Sequence, residues 1–266
     1  MTTDAERLHA AHCTSFELLC QSIDGARFER RPGYWWMVVP QVRVPSFNCV
    51  WPEDDFAAPD LEAALAEIAE LALPYSVQTR PGKTPACEQE AERLGLMERE
   101  EEPAMFLGAG ELQDVTLPEL QIVRIETADG LAQALAVCAE SFGVSAELFA
   151  PLFDPGVAAM DGAVYYLGRV GREDVTTGIG VTIDDAVGIF SIATPPRHRG
   201  RGYGAAITAE AVRDGFHAGA EFAWLHSSPL GYRVYHRLGF RHVETYVLHT
   251  KPELPLTGVE AVAQSE

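Results

Sequence analysis

Apolar residues recur at helical spacing in several stretches of the chain. Leu8, Phe16, Leu19 and Ile23 predict an amphipathic helix near residues 5–23, stopped by Gly25. Leu61, Leu65, Ile68 and Leu71 form an apolar stripe over 60–71, and the intervening glutamates face water. Residues 85–94 read as a third helix, closed by Gly95. Between these helices lie β-rich runs at 34–39, 42–50 and 75–79, with Pro40 and Pro45 interrupting. The charge run 98–102 reads as a solvated turn or strand edge, and 104–107 is apolar again.

Residues 108–118 are polar, contain Gly and Pro, and lack periodicity, so they read as a linker. A second series of elements follows. Strands are expected at 121–125, 163–170, 177–183, 186–194, 221–226 and 241–250. Helices are expected at 128–141, 146–153, 203–216 and 232–238, and turns at 171–176 and 184–185. The pattern predicts a mixed α/β fold with domains at 1–110 and 119–250 and a flexible tail at 251–266. A weak internal repeat links the halves: Glu92-Arg93-Leu94-Gly95-Leu96 is similar to His236-Arg237-Leu238-Gly239-Phe240. Both segments end a helix and precede a strand. A duplicated βαβ-type unit and a chance match of a common helix stop both fit that similarity.

At 266 residues and 47% hydrophobic, the chain is long enough to bury a core without disulfides or metals. Its formal net charge of -19 disfavours nucleic acid and anionic membranes as partners. Cys13, Cys20, Cys49, Cys87 and Cys138 are odd in number and widely spaced, as expected of reduced thiols in a cytoplasmic protein. No signal peptide or membrane-length apolar run is visible, and the histidines show no metal-ligand spacing. Tyr34, Trp35, Trp36 and Trp51 fit a core at strand spacing better than a pocket.

The chemically informative segment is residues 188–204, GIFSIATPPRHRGRGYG. A strand runs into Pro195 and Pro196, which cannot continue a ladder. Arg197, Arg199 and Arg201 then alternate with Gly200, Gly202 and Gly204, and a helix starts at once. Helix-start amides lack intrahelical acceptors, the helix dipole favours negative charge, and glycine permits close approach. The junction therefore reads as an anion site. Its spacing is neither that of a P-loop nor that of a dinucleotide fingerprint.

The pattern Arg199-x-x-Gly202-x-Gly204 resembles the pyrophosphate-binding signature of the GNAT superfamily of N-acetyltransferases. A second block, LHSSPLGYRVYHRLGF at 225–240, is similar to that family's later strand–loop–helix segment through Tyr235, Leu238, Gly239 and Phe240. The resemblance covers about residues 119–250. It implies a GNAT fold in the C-terminal half, with a smaller, related or degenerate α/β unit before it. It also implies acetyl-coenzyme A as cosubstrate. The implied contacts are Ile192, Ala193 and Thr194 through the strand, and Arg199, Gly200, Arg201, Gly202, Tyr203 and Gly204 through the loop. Tyr235 matches the tyrosine that in many members protonates the leaving thiolate.

The implied activity is acetyl transfer to a primary amine, a small molecule, by direct attack. A coenzyme A-binding sensor without turnover, or transfer of a longer acyl chain, is the alternative. An alkyl amine is only about one part in 2,500 neutral at pH 7, so a proton acceptor is needed. Glu140, Asp154, Asp184, Asp185 and Glu221 are weak candidates, and the cofactor strand offers only Ser191 in that role, with no carboxylate. Ser227 and Ser228 occupy a loop that often meets the cofactor in the family. The N-terminal half has Ala91 in place of Tyr235 and no counterpart of the arginine–glycine loop. Walling a substrate cleft and homodimerisation are the roles open to it.

Overall fold

The computed structural model describes residues 2–252. In chain order the elements are α1 (Asp4–Ser22), β1 (Arg27–Arg31), β2 (Tyr34–Val38), β3 (Asn48–Pro52), α2 (Leu61–Glu70), β4 (Ser76–Thr79), α3 (Pro85–Arg93) and β5 (Glu98–Gly108). There follow β6 (Gln121–Arg124), α4 (Ala128–Phe142), the short α5 (Ala146–Phe149) and α6 (Pro155–Ala158), β7 (Ala163–Val170), β8 (Glu173–Ile183) and β9 (Ala186–Ala193). Then come α7 (Tyr203–His217), β10 (Phe222–His226), α8 (Tyr232–Arg237) and β11 (Arg241–Thr250).

These elements pack as two units, and neither is continuous in sequence. One combines 2–19 with 103–243; the other combines 20–102 with 244–252. This differs from a linear division at 110 and 119, because each sheet is completed by a strand from the other half of the chain. In the first unit the strand order is β6-β7-β8-β9-β10-β5. Its β9 and β10 are parallel, and residues 104–108 of β5 run antiparallel to Phe222–His226. In the second unit the order is β1-β2-β3-β4-β11. There β3 and β4 are parallel, and Val247–His249 of β11 oppose Val77–Thr79.

The two series match element by element. The order β1-β2-β3-α2-β4-α3-β5 runs beside β7-β8-β9-α7-β10-α8-β11. The Leu-Gly repeat marks the same junction in each, from α3 to β5 and from α8 to β11. The chain is thus a mixed α/β protein with a larger C-terminal sheet-and-helix architecture and a smaller N-terminal α/β subdomain.

The core of the smaller unit packs Trp36, Val38, Val50 and Val77 against Leu61, Leu65 and Ile68 of α2. Trp36 Nε1 donates to the Ala64 carbonyl at 3.0 Å. Tyr34 and Trp51 are buried, and Trp35 is half-buried with its Nε1 donating to Glu53, so these rings build the unit rather than line a pocket. In the larger unit Val187, Ile189 and Leu225 of the sheet meet Ile207 and Val212 of α7. Asp214 fixes α7 by accepting from the Tyr166 hydroxyl at 2.7 Å and from Arg124 Nε at 2.9 Å.

Several segments depart from the pattern reading, each for a local reason. Residues 42–47 are not strand. Pro45–Phe47 form a 3-10 turn, and Asn48 holds the preceding loop by donating to the carbonyls of Val42 and Val44. β1, RFERR, lacks alternation and escapes a hydropathy reading. It is an edge strand whose Arg27 and Arg31 lie over the Trp36 ring at 4.7 and 4.6 Å. The charge run 98–102 opens an eleven-residue strand, and β8 begins at Glu173 inside the expected turn. The linker is irregular but packed: Leu112 and Val115 join the core, and Gln113 N–H donates to the Leu238 carbonyl at 2.9 Å.

All five cysteines are buried, and none forms a disulfide. No single helix among the described residues is long and apolar enough to cross a membrane. Most of the expected tail, 253–266, lies outside the described residues.

His249 is fully buried on β11 beside Thr79, whose hydroxyl lies 2.9 Å from Nε2. Burial, reinforced by the Arg99 charge, pushes its pKa down to about 4. The unfolded chain therefore binds the extra proton first, and stability should fall as pH drops from about 6.5 towards 4, by up to about 3 kcal/mol. Denaturant midpoints across that window should fall less steeply in His249→Gln; parallel slopes would refute the assignment.

Candidate functional site

The junction between β9 and α7 has three features that expose backbone. First, β9 pairs with β10 only through Ala186–Phe222, Val187–Ala223 and Gly188–Trp224, after which the two strands part. Second, the register between β8 and β9 slips: Thr177 faces Ala193 and Ile179 faces Phe190. The extra residue is accommodated at Ser191, which has φ 50°. A left-handed non-glycine residue in a bulge is costly and aims the chain away from its ladder. Third, the start of α7 carries no side-chain cap.

Gly202 precedes the first turn of α7 with φ 85°, a conformation that disfavours any side chain. Among the described residues, no acceptor meets the backbone N–H groups of residues 200–205. These amides cluster at the positive end of a 15-residue helix. Gly204 lies against the end of β9, where a Cβ would sit 3.5 Å from Thr194 Oγ1 and 3.7 Å from Ile192 Cγ2. Strand end and helix start thus lie side by side, and helix-start amides of this kind suit an anion.

The arginines act less uniformly than their spacing implies. Arg199 is committed to the protein, donating through Nε to the Thr194 carbonyl at 3.1 Å and through its other nitrogen to the Ser141 carbonyl at 2.7 Å. It shapes the loop. Arg197 pairs with Glu140 and with Glu173, and buried His198 also meets Glu173 at 3.0 Å. Arg201 is exposed, with no ion-pair partner among the described residues. Tyr203 is buried, so only its backbone faces the junction. The Ala193 carbonyl already accepts from Thr176 Oγ1, and Thr176 also meets Thr194 Oγ1 at 2.9 Å.

Tyr235 is half-buried on α8 and packs on the same core as Ile192 and Ala205. Burial raises its pKa above the usual phenol value, so the hydroxyl stays protonated through the physiological range. Gly231 makes room for the ring: a Cβ there would lie 2.6 Å from Tyr235 Cε2. Ser227 and Ser228 have local roles, since Ser227 Oγ donates to the Ser228 carbonyl and Ser228 Oγ accepts from Gly231 N–H.

None of the carboxylates considered from the sequence is placed as a base. Glu140 pairs with Arg197, and Asp185 and Glu221 pair with Arg7 at 2.6 and 3.3 Å. Asp154 caps α6, and Asp184 sits exposed in a turn at φ 51°. The equivalent junction of the smaller unit is chemically opposite. Between β3 and α2, Asp54 accepts from Phe56 N–H, and Asp55 accepts from Ala86 N–H at 2.8 Å. The segment before α2 carries carboxylates in place of the arginine–glycine loop, and Ala91 is buried at the Tyr235 equivalent.

The profile of the Acetyltransferase (GNAT) family matches residues 145–240. Among solved structures, a GCN5-related N-acetyltransferase from Kribbella flavida superposes with a TM-score of 0.70 at 16% identity, covering 93% of this chain and 96% of its own. A functionally unknown conserved protein from Staphylococcus epidermidis gives 0.63 at 14% identity, covering 86% and 95%. A GCN5-related N-acetyltransferase from Sphaerobacter thermophilus gives 0.62 at 16%, covering 82% and 76%. No curated protein matches the chain. The chain has a GNAT acetyltransferase-like fold.

Gly231→Ala should push the Tyr235 ring from its place and destabilise the protein by about 1–3 kcal/mol. A denaturant midpoint equal to that of the unaltered protein would show that the ring is not held by that contact.

Proposed function

We propose that the protein transfers an acetyl group from acetyl-coenzyme A to the primary amine of a small molecule. The observation that carries this reading is the set of unpaired amides at residues 200–205, opened by Gly202 and lying against the end of a strand that has left its neighbour. The fold is consistent with acyl transfer from coenzyme A thioesters in general; acetyl as the group and an amine as acceptor are the finer proposal. Backbone amides of Gly200, Arg201, Gly202, Tyr203 and Gly204 would hold the diphosphate, with exposed Arg201 adding charge. The freed backbone of Ile192, with Ala193 and Thr194 beyond it, would align the pantetheine arm. Tyr235, kept protonated by burial, supplies a proton for the departing thiolate.

One observation favours a second reading, a coenzyme A-binding module without turnover. Every carboxylate considered as a base is engaged elsewhere or exposed in a turn. Thiol release from acetyl-coenzyme A across an amine panel separates the two. Release supports transfer, whereas tight binding with no release for any amine supports the module.

Gly202→Val should weaken coenzyme A binding by about tenfold or more, since the left-handed backbone alone disfavours a side chain by roughly 1–2 kcal/mol. Unchanged affinity in calorimetry would remove the loop from the site. Tyr235→Phe should lower kcat by about 100-fold with little change in coenzyme A affinity. Turnover equal to that of the unaltered protein would remove its acid role.

A further inference from the structure

The fork between β9 and β10 has two unlike faces. Val187 and Ile189 of β9 and Ala223 and Leu225 of β10 point into the core shared with α7. The alternate residues, Gly188 and Phe190 with Trp224 and His226, point the other way. Phe190 meets the Trp224 ring edge-on at 5.3 Å, and Trp224 meets His226 at 5.9 Å. Gly188 leaves the space they fill, since a Cβ there would lie 2.7 Å from Phe190 Cε2 and 2.9 Å from Trp224 Cζ2.

Helix α1 adds two more rings from nearly the other end of the sequence. Phe16 lies 6.4 Å from Phe190, and His12 stacks on His226 with centroids 4.5 Å apart and planes 16° from parallel. His12 and Trp224 are buried. Phe190, Ser191, Ile192 and His226 are half-exposed, although Ile189, Ala193 and Leu225 beside them are buried. The opening therefore lies where the strands part. Trp224 Nε1, buried beneath it, has no acceptor among the described residues, which marks a polar site rather than a packed apolar one.

We propose that His226 accepts the proton an incoming amine must lose, and that His12, stacked on it, positions the imidazole. The inference rests on the acetyltransferase reading. It supplies the proton acceptor that none of the carboxylates provides, on the face of the sheet opposite α7. Imidazole is the side chain whose ordinary pKa, about 6.5, suits proton exchange at neutral pH. The ammonium gives one proton to His226. Its freed lone pair forms the C–N bond at the thioester carbonyl as the C–S bond breaks. Tyr235 protonates the departing sulfur and recovers a proton from the acylated nitrogen through solvent. The imidazolium returns its proton to water, so amine and thioester become amide and thiol.

Two small nucleophiles test this, ethylamine and hydroxylamine. The first is almost wholly protonated at pH 7 and needs a proton acceptor, whereas the second is already largely neutral. His226→Gln should lower kcat for ethylamine by about 100-fold or more and leave hydroxylamine turnover within about threefold, with coenzyme A affinity unchanged. His226→Asn should show the same selectivity and serves if the first variant folds poorly. His12→Phe, which keeps a stacking ring, should retain more ethylamine turnover than His12→Ala. Equal loss for both nucleophiles, or no loss for either, overturns the role of His226 and leaves the transferase reading intact. Thiol release with neither nucleophile by the unaltered protein overturns the transferase reading and this role together.

Discussion

Backbone polar groups inside a sheet are consumed by their neighbours, so a sheet can offer main-chain contacts to a ligand only where its ladder stops. Here the ladder between β9 and β10 stops after Gly188 and Trp224. The strands cannot close again because Ser191 bulges on one side and the rings of Phe190 and Trp224 occupy the other. That parting gives the start of α7 its open approach, bares the backbone beyond Ile189, and leaves His226 paired with Ala104 of β5 but not with β9. Unpaired amides are tolerable at residues 200–205 because they lie at a helix start reached by solvent. The same groups in a closed core would each cost about 1–3 kcal/mol.

The two units are variations on one order of elements, but only one carries the arginine–glycine junction. In the larger unit the junction before the helix is rich in glycine and arginine. In the smaller it is acidic: Asp54 accepts from Phe56 N–H, and Asp55 reaches Ala86 N–H at the start of α3. The exchange of final strands has a structural consequence. Each sheet needs a strand from the other half of the chain, so neither half of the sequence completes its own unit. Helix α1 adds a further dependence, since its first turns supply His12 and Phe16 to the larger unit.

Charge illustrates how sequence spacing and tertiary pairing diverge. Arg197, Arg199 and Arg201 look equivalent along the chain. Folded, one is neutralised by Glu140 and Glu173, one spans two carbonyls, and only Arg201 has neither kind of partner among the described residues. The carboxylates diverge in the same way. Glu140, Asp185 and Glu221 are drawn into ion pairs, because a partner distant in sequence lies near in space.

Local pattern was enough for the longer helices, for the strands 163–170 and 186–194, for the glycine–arginine junction and for the resemblance to GNAT proteins, whereas the helix expected at 146–153 is one short α-turn followed by a 3-10 turn. These depend on periodicity and on residues adjacent in sequence. The edge strand RFERR was invisible because arginines stacked on tryptophan replace the usual alternation, and for the run 98–102 a turn and a strand edge both fitted, of which the structure takes the strand. The strand exchange, the early end of the β9–β10 ladder and the left-handed Ser191 were likewise illegible, because register is set by pairing across the sheet. The stack of His12 on His226 joins residues more than two hundred positions apart. No spacing rule reaches that far; only packing of α1 on the fork of the sheet brings the two rings together.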